Sequence, residues 1–163
     1  MADLTTVILA AGKGTRMKSS LPKVLHKAGG KAMLAHVLAA AKEAGAVRNI
    51  VVVGFGGETV EKALAGEADF VTQEEQLGTG HAVLQAEPLL REEKGTVLVL
   101  CGDTPLLTGK LLKKLAKEHA ASGAKATVLT AVMPDATGYG RIIRAADGTV
   151  ERIVEHKDAT EEE

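Results

Sequence analysis

Leu4-Thr5-Thr6-Val7-Ile8-Leu9-Ala10-Ala11-Gly12-Lys13-Gly14-Thr15-Arg16-Met17 is the stretch that decides the fold class. Residues 4–10 are β-rich and uncharged, which reads as a buried strand. The strand runs straight into small residues and then Gly12-Lys13-Gly14. Small residues let a backbone approach a ligand closely, and consecutive N–H groups can line one anion-binding concavity. Arg16 and, after Leu21-Pro22, Lys23 add two cations nearby. Arginine can fork onto two phosphate oxygens, whereas lysine acts as a point charge. Two known phosphate motifs fail. A P-loop needs Gly where Val7 stands and Ser or Thr where Gly14 stands; a dinucleotide fingerprint needs Gly where Met17 stands. Taken alone, the loop reads equally as a tight turn with a solvated Lys/Arg pair.

Outward from this loop, strands and helices alternate. A helix is predicted over residues 32–44, with Met33, Val37, Leu38 and Ala41 on one face and Gly45 as its stop. A strand over 49–53, a short helix over 58–64 and a strand over 69–72 follow. Residues 79–90 read as helical, with Pro88 bending or ending the run. Residues 96–100 form the most apolar strand, closed by Cys101-Gly102-Asp103. Thr108 opens an amphipathic helix to His119, with Leu111, Leu112 and Leu115 opposite a solvated lysine face. A strand is expected over 125–133 and a hairpin from 141–144 and 149–154 around Ala146-Asp147-Gly148. Uniformly apolar strands between helices predict an α/β fold, a mostly parallel central sheet with helices on both faces. Ligands in such folds bind at the carboxyl ends of strands, where the loops after Leu9 and Leu100 lie.

The chain of 163 residues is long enough to bury a core without disulfides or a structural metal. A net charge of −1 argues against a general nucleic-acid or anionic-membrane binder. Phe55, Phe70 and Tyr139 are too few rings for a single-strand stacking platform. The single cysteine, Cys101, excludes a disulfide framework and fits a reducing cytosol, so a cytoplasmic protein is expected. Cys101 reads as a small apolar residue at a buried strand end, and His81 as structural. The five histidines are scattered without zinc-ligand spacing.

Five segments in order carry a resemblance: residues 9–17 with Pro22-Lys23; Gln73-Glu74-Glu75-Gln76-Leu77-Gly78-Thr79-Gly80-His81-Ala82; Gly102-Asp103-Thr104-Pro105-Leu106; Gly138-Tyr139-Gly140-Arg141-Ile142; and Glu155-His156-Lys157-Asp158-Ala159. Together they resemble the sugar-nucleotide pyrophosphorylases, and among these the N-terminal domain of bacterial bifunctional N-acetylglucosamine-1-phosphate uridyltransferase/glucosamine-1-phosphate acetyltransferases. The resemblance covers essentially the whole chain and implies a Rossmann-like nucleotide-diphospho-sugar transferase fold. It also implies a Mg²⁺-dependent reaction of UTP with N-acetylglucosamine 1-phosphate, giving UDP-N-acetylglucosamine and pyrophosphate. That product would serve peptidoglycan and lipopolysaccharide synthesis.

The resemblance assigns Arg16 and Lys23 to catalysis. Leu9, Ala10, Ala11, Gly12, Gly14, Lys23, Gln73, Gln76, Gly78 and Thr79 would bind the nucleotide, with Gln73 and Gly78 on the uracil edge. Gly102, Asp103, Gly140 and Glu155 would serve the sugar side, and Asp103 would bind Mg²⁺. Alone, Asp103 would be a turn former, Gln73 and Gln76 surface amides, and Gly138 and Gly140 turn residues. No nucleic acid or membrane partner is expected.

In the family the domain continues past Glu155 into an Asn- and Gly-rich sugar segment and a second metal ligand, Asn or Asp. An acetyltransferase β-helix that trimerises follows. Residues 1–163 are therefore expected to be an incomplete uridyltransferase domain without the β-helix. Thr160 and Glu163 read as a capping box or, equally, as an acidic tail. Two alternatives stand beside this reading. One is a module that binds uridine nucleotide with little turnover. The other is a related nucleotidyltransferase acting on another sugar phosphate.

Overall fold

A computed structural model describes residues 3–163; the side chain of Arg16 lies outside the described residues, and with it the catalytic role expected there. The chain divides into two compact units, Met1–Lys125 and Ala126–Glu163.

The first unit is built on a parallel sheet. Its four strands are β1 (Leu4–Ala10), β4 (Ala46–Val53), β5 (Asp69–Thr72) and β6 (Thr96–Cys101), in the order β5-β4-β1-β6. A two-residue hairpin, β2 (Lys27–Ala28) and β3 (Lys31–Ala32), leads into α1 (Met33–Ala44). The Gly29-Gly30 pair between these strands was a hairpin signal that periodicity alone passes over. Helix α1 buries Leu34, Val37, Leu38, Ala41 and Ala44, a stripe with helical spacing, and Gly45 stops it. Helices α2 (Gly57–Ala63) and α5 (Gly109–Ser122) bury Val60 and Leu112 in the same core. Thr108 caps α5 as expected, its Oγ1 accepting from the Leu111 N–H at 3.3 Å.

The opposite face of the sheet is covered by α3 (Thr79–Gln85) and α4 (Glu87–Leu90). Here Ala82, Ala86, Leu89 and Leu90 pack with Val7, Ile50 and Val52. Pro88 sits in the first turn of α4, where its missing N–H costs nothing, so the break falls just before it. The crossover from β5 to β6 uses this second face, whereas those from β1 to β4 and β4 to β5 use the first. The chain thus reverses direction across the sheet beside β1, where open α/β sheets form ligand crevices.

Four expectations need correction. No strand forms over residues 125–133; residues 125–133 are exposed and belong to no β-ladder. Apolar composition alone does not make a strand without ladder hydrogen bonds. Strand β6 is not buried on both faces. Leu98 and Leu100 enter the core, but Val97 and Val99 are 40% and 44% exposed. Leu111 on α5 is also exposed, while Leu112 and Leu115 face inward. Cys101 is exposed rather than buried. Its thiol pKa is nonetheless pushed up, first by desolvation and then by the Asp103 carboxylate, with Lys23 opposing. A raised thiol pKa leaves little thiolate.

In the second unit, β7 (Arg141–Arg144) and β8 (Val150–Val154) pair antiparallel as expected. The Thr160–Glu163 capping bonds form in both directions, at 3.0 and 3.4 Å.

Within the sheet, Thr6 Oγ1 donates to Asn49 Oδ1 at 2.7 Å, and both residues are buried. Asn49→Ala should leave a buried hydroxyl without its acceptor and lower unfolding free energy in urea by about 1–3 kcal/mol. The double variant Thr6→Val/Asn49→Leu should recover most of that loss, because no unpaired polar group remains.

Candidate active site

An open-sided cleft of about 220 Å³ lies at the carboxyl end of β1. Leu9, Ala11 and Gly12 line one side, and Gln73, Gln76, Gly78, Thr79 and Ala82 the other. Seven of these eight residues were expected to bind nucleotide. Ala82 was missed, because a small residue one turn into a helix carries no distinguishing sequence signal. Ala10 is corrected: strand alternation turns it to the opposite face, where it is buried in the main core.

The two segments are tied together by Gln76, whose Nε2 donates to the Ala11 carbonyl at 2.9 Å. Gln76 therefore straps the loop after β5 to the glycine loop, a role that sequence spacing did not indicate. Among the described residues, the N–H groups of Gly12, Lys13 and Gly14 make no hydrogen bond within the chain, as an anion-binding loop requires.

Gln73 extends β5: its N–H donates to the Val53 carbonyl at 2.7 Å, and the residue is 3% exposed. Its side-chain Nε2 reaches the Gly78 carbonyl at 3.1 Å and His81 Nδ1 at 3.0 Å. Gln73 is thus a held internal amide rather than a surface one.

Beside the cleft stands a pair that the sequence separates by 80 positions. Lys23 Nζ donates to Asp103 Oδ2 at 2.5 Å. Lys23 opens a short 3₁₀ turn, Lys23–Leu25, whose Val24 and Leu25 are buried and so anchor it. Gly14 has a φ of 59°, and a Cβ there would lie 2.7 Å from the Lys23 Cβ. Glycine at this position admits both the left-handed turn and the close passage of Lys23. Asp103 follows β6, on a turn closed by the Thr104 hydroxyl donating to the Cys101 carbonyl at 2.7 Å. Gly102 is buried, and its N–H is spent on the Leu9 carbonyl at 2.9 Å. It therefore locks β6 to β1 rather than offering a donor to sugar. In the second unit, Gly140 and Glu155 flank the paired residues Arg141 and Val154, so the hairpin brings them side by side.

The model of the MobA-like NTP transferase domain matches residues 6–146. The chain belongs to that family. This NTP transferase domain is 59% identical over 157 residues to the bifunctional protein GlmU of Exiguobacterium sibiricum, a match covering 96% of the chain and 35% of the relative. It therefore spans about a third of the length of the curated relatives it matches. Among solved structures, a nucleotidyl transferase from Methanothermobacter matches with a TM-score of 0.62 and 25% identity, over 71% of this chain and 57% of that one. Rv0371c of Mycobacterium tuberculosis, in complex with manganese, matches with a TM-score of 0.58 and 25% identity, over 74% and 61%. The likeness to solved nucleotidyl transferases agrees with the parallel sheet.

Proposed function

We propose that this NTP transferase domain joins UTP to N-acetylglucosamine 1-phosphate, releasing pyrophosphate and forming UDP-N-acetylglucosamine. The observation that carries the reading is the cleft that unites residues 9–12 with residues 73–79. The similarity to proteins named GlmU supports the choice of substrates.

In this reaction a phosphate oxygen of the sugar phosphate attacks the α-phosphorus in line, and pyrophosphate departs. That oxygen is already ionised at neutral pH, so no general base is needed. Catalysis is then positioning and neutralisation of crowded negative charge. The free N–H groups of Gly12, Lys13 and Gly14 receive phosphate oxygens. Lys23 neutralises charge on the triphosphate and the leaving pyrophosphate, and Arg16 is assigned the same role. Gln73 and Gly78 face the base. In the second unit, Gly140 and Glu155 are proposed to contact sugar hydroxyls.

A divalent ion suits this chemistry, and a related structure is a manganese complex. Among the described residues no group of three His, Cys, Asp or Glu side chains comes together. Asp103 alone fits Mg²⁺ only where phosphate oxygens and waters complete the shell, which is how Mg²⁺ is usually held. Bound there, the ion would supply further neutralisation of phosphate charge. One other reading, already open from the sequence, is binding of uridine nucleotide with little turnover.

The test is pyrophosphate release from UTP, N-acetylglucosamine 1-phosphate and Mg²⁺. Release well above a Lys23→Ala control is expected. Release no faster than in the absence of protein sinks the enzymatic reading, and calorimetric UTP binding without release selects the binding module.

A further inference from the structure

His81 was read as structural, and it does not line the cleft. Its ring nevertheless stands between two glutamine amides. On one side Gln73 Nε2 approaches Nδ1 at 3.0 Å; on the other Gln85 Nε2 approaches Nε2 at 3.2 Å. Each amide nitrogen is also fixed by a backbone carbonyl: Gln73 by Gly78 at 3.1 Å, Gln85 by His81's own carbonyl at 3.0 Å. Turning either amide over would set oxygen against oxygen. Both nitrogens therefore offer hydrogen to the imidazole, and a neutral imidazole accepts at one ring nitrogen only.

Burial decides which. Gln73 is 3% exposed, whereas Gln85 is only half-buried. A buried donor left unmade has no water to replace its partner, while Gln85 does. Nδ1 is therefore the acceptor, and the ring proton sits on Nε2. Both amide hydrogens of Gln73 are then spent inside the protein. Among the described residues its Oε1 has no hydrogen-bond partner, and Gln73 lines the cleft.

We propose that His81 is a positioning residue that sets base specificity by locking the Gln73 amide, so that Gln73 presents only an acceptor to the ligand. The inference rests on the uridine reading above and deepens it. An acceptor pairs with a ring N–H, as at N3 of uracil. It repels the lone pair at N3 of cytosine. An amide free to turn over would serve both bases.

Two measurements test the lock. The first is the ¹⁵N spectrum of His81 in the unsubstituted protein, which should show Nδ1 bare and Nε2 protonated; the opposite tautomer overturns the inference whatever the nucleotide. The second is the ratio of UTP to CTP affinity by calorimetry. His81→Leu, which removes the acceptor, should lower this ratio about tenfold. His81→Asn places an oxygen near the Nδ1 position and should keep the ratio within about threefold, a rescue that a merely structural role would not produce. A His81→Leu protein that melts normally and keeps the full preference overturns the lock. An unsubstituted protein with no preference for UTP overturns the uridine reading, and the specificity role with it.

Discussion

Lys23→Ala should cut pyrophosphate release by about 10²- to 10³-fold, the usual loss when one pre-placed group that stabilises developing negative charge is removed. It should scarcely change stability. The side chains of Lys23 and Asp103 are 39% and 34% exposed, and ion pairs of such exposure contribute roughly 0–1 kcal/mol. The neighbours that hold the turn, Val24 and Leu25, are untouched by the substitution. The contrast between the two readouts is the content of the prediction. A structural ion pair would lose stability without a large rate effect. A phosphate-binding lysine loses rate without stability. Lys23→Arg should recover only part of the activity, because a planar fork does not replace a compact ammonium beside the Gly14 turn. Paired measurement of the rate and of the melting temperature decides. A rate within threefold of the unsubstituted protein would remove Lys23 from the proposed chemistry.

Much of this arrangement was legible because its signals are local. Strand β1 could be bounded from composition and Gly12, and Pro88 marked the break between α3 and α4. The hairpin of β7 and β8 followed from Asp147-Gly148 between two β-rich runs. What failed depends on partners distant in sequence. Residues 125–133 have strand composition but no ladder, and β6 has core composition but one uncovered face. Neither fact is visible in periodicity. The site behaves likewise. The glycine loop and the Gln73–Thr79 segment could be nominated from their residues. That Gln76 straps one to the other and that Lys23 reaches Asp103 are consequences of the sheet order; that His81 meets Gln73 follows from the turn between β5 and α3. Ala10 shows the converse. It lies inside the motif, yet the two-residue period of the strand points it away from the cleft.

Asp103→Asn isolates charge from shape. Asparagine is nearly isosteric and can still accept from Lys23, so the turn after β6 should persist, held by Thr104 and by Gly102 on Leu9. What disappears is the negative charge. If Asp103 only restrains Lys23, the asparagine should be almost neutral for activity. If it helps hold a cation beside the triphosphate, activity should fall about 10²-fold and the remaining rate should demand more Mg²⁺. Retention of Mn²⁺ by the protein–UTP complex, read by electron paramagnetic resonance, should weaken in parallel. The double variant Lys23→Ala/Asp103→Asn adds the decisive comparison. Groups that act on one phosphate cluster are not additive, so the double variant should lose far less than the product of the single losses. Strict multiplication would mean that the two residues act independently, and that their contact at 2.5 Å is incidental to the reaction.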